Sequence, residues 1–208
     1  MSFKEKKYSI KRNVISKEMA AFFYDYLSLK RKAAKTMFKH KFLSPYTDYF
    51  GVWNDRQVPE TYSHYADIVM ETLLENLTPL MQEETGMSLL PTYSYCRIYK
   101  QGDILKRHKD RIACSVSTTM NLGGDLWPIY LEPSGKRGHA GIKIELEPGD
   151  MLLYSGCDLE HWREPLEGTH NAQVFLHYNE KSSPHGKVQK FDRRFHLGLP
   201  SWFKGFKG

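Results

Sequence analysis

Between Leu89 and Tyr178 the chain reads as a succession of short strands, and whatever else it contains must pack against them. Residues Thr92 to Tyr99 alternate, with Tyr93, Tyr95, Arg97 and Tyr99 on one face and Thr92, Ser94, Cys96 and Ile98 on the other. That period of two is the mark of a strand with two different faces. Ala113 to Leu122 and Ala172 to Tyr178 are similar runs, Ile142 to Leu146 alternates, and Met151 to Tyr154 is a short apolar strand. Gly123-Gly124, Pro133-Ser134-Gly135 and Pro148-Gly149 punctuate them with residues that turn the chain. Many short strands with regular turn signals predict a sandwich or barrel, mainly β with flanking helices.

The helices come earlier. Lys7 to Val14 reads as a short strand, after which Ser16 offers an N-cap oxygen and Glu18 a first-turn acid. Ala20, Phe23, Tyr24, Leu27 and Ala34 recur at helical spacing, which predicts a helix from Lys17 to Phe38. A second helix is expected from Tyr62 to Glu84, with Tyr65, Val69, Leu73, Leu77 and Leu80 on one face, a kink at Pro79 and a stop at Gly86. Both would buttress one outer face of the sheet. Ser44 to Gln57 has no period and holds Pro, Gly, Trp and Asn, so it reads as an ordered loop, either a lid or a surface connection pinned by Trp53. A length of 208 residues fits one domain. Its expected parts are a helical N-terminal buttress (1–88), a strand-rich core (89–180) and a basic C-terminal tail (181–208).

Composition narrows the class. Hydrophobic residues make up 40% and charged residues 26%, the balance of a soluble globular chain. Cys96, Cys114 and Cys157 are odd in number and contain no C-x-x-C, so neither a disulfide framework nor a zinc ribbon is indicated, and a reducing cytoplasm is the expected home. No apolar run reaches the roughly 18 residues of a membrane span, and Met1 to Lys7 precedes no signal-like apolar core. The formal charge of +6 gathers at Lys4 to Arg12, Lys30 to Lys41 and Lys181 to Lys207. Without a base-reading motif among them, these runs read as a solvated helix face and two basic ends, and nucleic acid is not the expected partner.

Chemistry enters at Arg107-His108-Lys109-Asp110. Side chains two apart on an extended segment share a face, so His108 and Asp110 present an imidazole and a carboxylate together. His161 lies 51 residues beyond Asp110, after the strand opened by Pro148-Gly149-Asp150 and the polar loop Ser155 to Glu160. Two neutral nitrogens and one carboxylate on one face suit Fe(II) and leave coordination positions open.

In these residues and their strand context the sequence resembles the 2-oxoglutarate and Fe(II)-dependent oxygenases, more narrowly their prolyl-hydroxylase-like branch. The resemblance spans roughly Leu89 to Tyr178. It implies a double-stranded β-helix (jelly roll) and an Fe(II) held by His108, Asp110 and His161. It also implies 2-oxoglutarate as co-substrate and a dioxygenase that hydroxylates a peptidyl prolyl or related amino-acid residue. Tyr99 stands where relatives carry a tyrosine touching the co-substrate, and Arg97 and Tyr95 share its face. The chain departs from the pattern at one place, because His170 and Asn171 occupy the positions where relatives carry the Arg or Lys that grips the far carboxylate. Arg163, two residues past His161, is therefore the expected anchor, with Lys143, His170, Gln173 and His177 as alternatives and a rim pairing of Arg163 with Glu160 or Glu164 as the rival. Readings from other classes are a non-catalytic metal-binding module of cupin type and a nucleic-acid-directed oxidative demethylase.

Overall fold

The computed structural model describes residues 3–44 and 47–205; Pro45 and Tyr46 of the expected loop and the last three residues of the expected tail lie outside them. One turn of helix, α1 (Phe3–Lys6), leads into β1 (Tyr8–Lys11). Ser16 then opens α2 (Lys17–Lys39), its hydroxyl accepting from the Met19 backbone N–H at 3.1 Å and so satisfying one of the donors a helix start leaves free. The buried positions of α2 are Ala20, Phe23, Leu27 and Ala34, the stripe its periodicity predicts.

The expected second helix starts later than the periodicity suggests. Tyr62–Tyr65 form β2, and Ala66 turns the chain at a φ of 56° before Asp67 caps α3 (Ile68–Thr85) by accepting from the Met70 N–H at 3.1 Å. The alternating Tyr-Ser-His-Tyr suits a pleated edge, and pairing with the strand at Tyr95–Ile98 takes these residues out of the helix. Pro79 lies inside α3, and Gly86 closes it in the left-handed region at φ 63°.

Eight strands follow: β3 (Leu89–Lys100), β4 (Leu105–His108), β5 (Val116–Gly124), β6 (Ile129–Leu131), β7 (Ile142–Ile144), β8 (Met151–Tyr154), β9 (His161–Arg163) and β10 (His170–Glu180). The run expected to begin at Ala113 opens instead with a 3-10 turn over Ile112–Cys114. The strands form two antiparallel sheets, β1-β8-β5-β10-β3-β2 and β4-β9-β6-β7. The N-terminal part thus supplies both edges of the larger sheet in addition to its helices.

Two layers of apolar side chains hold this arrangement. On the outer face of the larger sheet, Phe23, Leu27 and Ala34 of α2 and Met70, Leu74 and Met81 of α3 pack with Cys96, Ile98, Met120, Leu122, Val174 and Leu176. Each fully buried Leu or Met there contributes about 1.5–3 kcal/mol relative to leaving it exposed. On the inner face, Leu152 and Tyr154 meet Ile129, Leu131 and Ile144 of the smaller sheet, closing the jelly roll. Alternation in β3 therefore sends Cys96 and Ile98 to the helices and leaves Tyr93, Tyr95, Arg97 and Tyr99 facing the space between the sheets.

The C-terminal segment is solvated at Lys181, Lys187, Lys190, Arg193 and Lys204, as expected, but it is tied to the core at two points. Arg194 is buried against Glu71 of α3 at 2.7 Å, and the Asp192 carboxylate receives Arg111 at 2.8 and 3.0 Å and the Tyr65 hydroxyl at 2.6 Å. These charge-assisted contacts hold Phe191, Asp192 and Arg193 at φ 53°, 52° and 67°, a conformation that costs of order 1 kcal/mol or more per residue and persists only when surroundings enforce it. Among the described residues no helix is long and apolar enough to cross a membrane, and Cys96, Cys114 and Cys157 are free thiols.

Candidate functional site

β4 ends at His108 where β9 begins at His161, and the two residues are paired across the ladder with their rings 4.3 Å apart. His161 follows β8 and the loop after it, as expected, and itself opens β9. Asp110 lies beyond β4, so the residues that the shared-face argument groups come together through a geometry that is only partly strand. Its backbone N–H donates to the Gly156 carbonyl at 2.9 Å, and that bond curls the segment back. Asp110 Oδ1 consequently stands 3.6 Å from His108 Nε2 and 3.4 Å from His161 Nε2, and one ligand atom from each of the three residues lies within 4.8 Å of the others.

The hydrogen bonds around the cluster dictate which atoms face inward. His108 Nδ1 is 2.7 Å from the Lys106 carbonyl and His161 Nδ1 is 3.1 Å from the Leu159 carbonyl. A carbonyl only accepts, so both protons sit on Nδ1 and both Nε2 lone pairs point at the cluster. Asp110 Oδ2 accepts from Ser117 Oγ at 2.7 Å, which leaves Oδ1 free to serve as a ligand. The Ser117 proton being committed to this carboxylate, His177 Nδ1, 3.0 Å away, donates to Ser117 Oγ. Burial drives the His177 pKa down to about 4, so the ring is neutral at pH 7 and acts as a fixed donor. Burial would raise the Asp110 carboxyl, but the proximity of the His108 and His161 rings outweighs it and holds the group well below the usual carboxylate range. Two imidazole nitrogens and a carboxylate oxygen converging at the edge of a cavity fit an Fe(II)-type divalent ion.

Gly156 makes this packing possible. A Cβ there would collide with Asp110 Oδ2 and come within 2.6 Å of Ser117 Oγ. Gly156→Ala is therefore expected to weaken Mn(II) binding about 10- to 100-fold, the cost of disturbing an outer-shell support, while circular dichroism stays native. Unchanged affinity by calorimetric titration would show that Asp110 tolerates the displacement.

A cavity of about 330 Å³ opens onto the cluster. Tyr93, Tyr95, Arg97 and Tyr99 of β3 form one wall, Phe175 and His177 of β10 another, and Asp55 and Gln57 of the loop between α2 and β2 reach in from above. The expected loop is pinned by Trp53, which packs against Tyr62 at 5.0 Å and Phe38 at 5.9 Å, and the residues after it line the cavity. Arg97 lies between the Tyr95 and Tyr99 rings, 5.2 and 5.3 Å from their centroids, and pairs with Asp55 at 2.6 Å.

Arg163 is 1% exposed and stands behind this wall, outside the residues that line the cavity. Its guanidinium sits 4.9 Å from the Trp127 ring, and Trp127 in turn packs at 4.6 Å on Tyr99. It donates to the Trp127 carbonyl and, at 3.2 Å, to Thr119 Oγ1, while its Nε has no partner. Among the described residues no carboxylate pairs with it, and burial lowers its pKa to about 10. Glu160 is engaged by Arg107 at 2.7 Å and Glu164 by Trp162 Nε1 at 3.0 Å, so the rim pairing is not formed. Lys143 is paired with Glu145 at 2.8 Å on the smaller sheet, and His170 is held by Thr169 at the start of β10. Neither lines the cavity. Gln173 is buried and accepts from Thr119 Oγ1 at 2.9 Å, beside the Arg163 contact.

Sequence reasoning did not single out Asp55, Gln57, Ser117 or Gly156. They lie in a loop without period, in a strand interior and in a turn, and only pairing across the fold brings them to the cluster.

No protein-family model matches the sequence, and no curated protein matches it. Solved structures do match in shape. EctD from S. alaskensis with bound Fe superposes with a TM-score of 0.61 at 16% identity, over 94% of this chain and 84% of that one. HygX from Streptomyces hygroscopicus with nickel, 2-oxoglutarate and hygromycin B bound gives 0.61 at 13% identity, over 86% and 85%. A Pseudomonas putida prolyl-4-hydroxylase gives 0.57 at 11% identity, over 86% and 95%. The chain has the jelly-roll fold of the 2-oxoglutarate and Fe(II)-dependent oxygenases.

Proposed function

We propose that this chain is an Fe(II)- and 2-oxoglutarate-dependent dioxygenase that hydroxylates a peptidyl prolyl or related amino-acid residue. The observation that carries this reading is the convergence of His108 Nε2, His161 Nε2 and Asp110 Oδ1 on a cavity, each oriented by a hydrogen bond on its far side. Support for the metal and co-substrate comes from structures of the same fold that hold iron, or nickel with 2-oxoglutarate. The prolyl-4-hydroxylase of that fold supports the target.

In this assignment His108, Asp110 and His161 hold Fe(II), and Arg163 takes the far carboxylate of 2-oxoglutarate once Trp127 and Tyr99, which stand between it and the cavity, give way, with Tyr99 assisting. Fe(II) with 2-oxoglutarate and O2 supplies a two-electron oxidation in which one oxygen atom enters a substrate C–H bond and the other enters succinate as CO2 leaves. The protein's own residues prepare the place. Ser117, ordered by His177, keeps Asp110 turned so that Oδ1 faces the imidazoles. Leu105, Ile129 and Phe175 make the cavity partly apolar and limit water. The Phe175 and Tyr95 rings lining the cavity offer apolar surface on which a saturated five-membered ring can pack. The basic run on α2 lies across the larger sheet from the cavity, which argues against a nucleic-acid target.

The test is succinate formation by the Fe(II)-loaded protein, screened against proline-containing peptides and free amino acids. O2-dependent succinate that rises severalfold with a proline-containing compound is the expected result. Metal binding with no O2-dependent succinate would instead identify a non-catalytic metal-binding jelly roll.

A further inference from the structure

Gln57 occupies an unusual place. Its side-chain amide lies between Arg97 Nη1 and His108 Nε2, at 3.2 Å from each. A guanidinium has only donors, so the atom facing Arg97 is the amide oxygen and the atom facing His108 is the NH2 group. His108 in turn keeps its proton on Nδ1 for the Lys106 carbonyl, so its Nε2 accepts from Gln57. The bonds run in one direction, from Arg97 through Gln57 and His108 to Lys106, and no member can reverse without breaking its neighbour.

The lone pair that Gln57 caps is the one a metal needs. A single lone pair cannot serve both, because metal–imidazole bonds are about 2.0–2.1 Å long. The loop is nevertheless tied down on both sides of Gln57. Asp55 is paired with the same guanidinium at 2.6 Å and with the Tyr95 hydroxyl, and Val58 is buried against Tyr99 and Leu105. Arg97 itself is buried between two tyrosine rings and cannot follow the loop away. Gln57 is exposed and has room to swing, while its oxygen remains within reach of Arg97.

Resting on the metal-centre reading above, we propose that Gln57 has two positions. It caps His108 Nε2 in the metal-free chain. Once metal binding displaces it, it stays oriented by Arg97 and donates its amide hydrogen to an oxygen of the 2-oxo acid bound beside that metal. Gln57 thereby selects for a co-substrate with an acceptor oxygen at that point, and it competes with the metal for the His108 Nε2 lone pair.

Calorimetric titration of the full chain distinguishes this from a merely structural lid. Gln57→Met and Gln57→Ala should bind Mn(II) about three- to tenfold more tightly than wild type, the scale of one ordinary hydrogen bond removed from competition. The Mn(II)-loaded variants should bind 2-oxoglutarate about three- to tenfold more weakly, because the donor is gone. Opposite signs are the signature. A loosened lid would weaken both, and either both affinities moving together or an unchanged value of either overturns the proposal. If wild type takes up no Mn(II), the metal-centre reading fails and this one with it; if it does and the variants disobey, only this inference falls.

Discussion

Asp110→Ala is expected to abolish tight binding of Fe(II), and of Mn(II) or Zn(II) in its place. The substitution removes both a ligand atom and the negative charge that balances a divalent ion, leaving two neutral imidazoles. Disturbing an outer-shell support already costs about 10- to 100-fold in metal affinity, so losing a ligand should cost more than about 100-fold. The fold should survive, because Asp110 lies in a turn whose backbone bond to Gly156 does not involve the side chain. Asp110→Asn is a graded control that keeps an acceptor for Ser117 while losing the charge, and it should fall between wild type and alanine. Elemental analysis of the purified variants reads the result directly. Full occupancy in Asp110→Ala would place the metal elsewhere and end the functional reading.

The second large effect belongs to Arg163. Burying a cation without an acid is costly, and the usual remedies are a paired carboxylate or a bound anion. Among the described residues no carboxylate pairs with Arg163; it makes two hydrogen bonds to neutral oxygens and leaves Nε orphaned. Although burial brings its pKa down to about 10, it remains charged at pH 7. The far carboxylate of a dicarboxylic acid would supply the missing charge, and the planar fork can take it in two bonds. Arg163→Met, which keeps volume and removes charge, should raise the 2-oxoglutarate dissociation constant at least about tenfold, the scale of a lost charge-assisted hydrogen bond of roughly 1.5–3 kcal/mol. The melting temperature of the unliganded protein should be retained, since an uncompensated charge is lost with the bonds. The rival is Arg97, which lines the cavity directly but is already balanced by Asp55. If Arg97→Met loses the co-substrate and Arg163→Met keeps it, Arg97 is the anchor.

The fold was legible in the chain wherever local pattern and tertiary demand agree. Alternation in β3 separated the helix-facing Cys96 and Ile98 from the cavity-facing tyrosines and Arg97, because a pleated strand has only two sides. The N-cap at Ser16 and the stripe along α2 were visible for the same reason. The helix start failed at Tyr62, where an apolar spacing that suits a helix was overruled by a sheet edge needing a partner. Nothing local reports that need. Arg194 departs from its solvated neighbours for a similar reason, since its place depends on Glu71, which is distant in the chain and meets it only in the folded core.

At the site, the sequence by itself determined the three candidate ligands, because His-x-Asp and a His after a Pro-Gly-opened strand are residue types whose chemistry is written in their side chains. It could not say which nitrogen faces inward, which carboxylate oxygen is free, or what stands in front. Those were decided by groups that approach through the fold: the Lys106 and Leu159 carbonyls, Ser117 from β5, Gly156 from the loop before β9, and Gln57 from the loop before β2. Hydrogen bonds are short-ranged and directional, so a proton's position is set by whichever acceptor lies within about 3 Å, and only the packed chain brings that acceptor there.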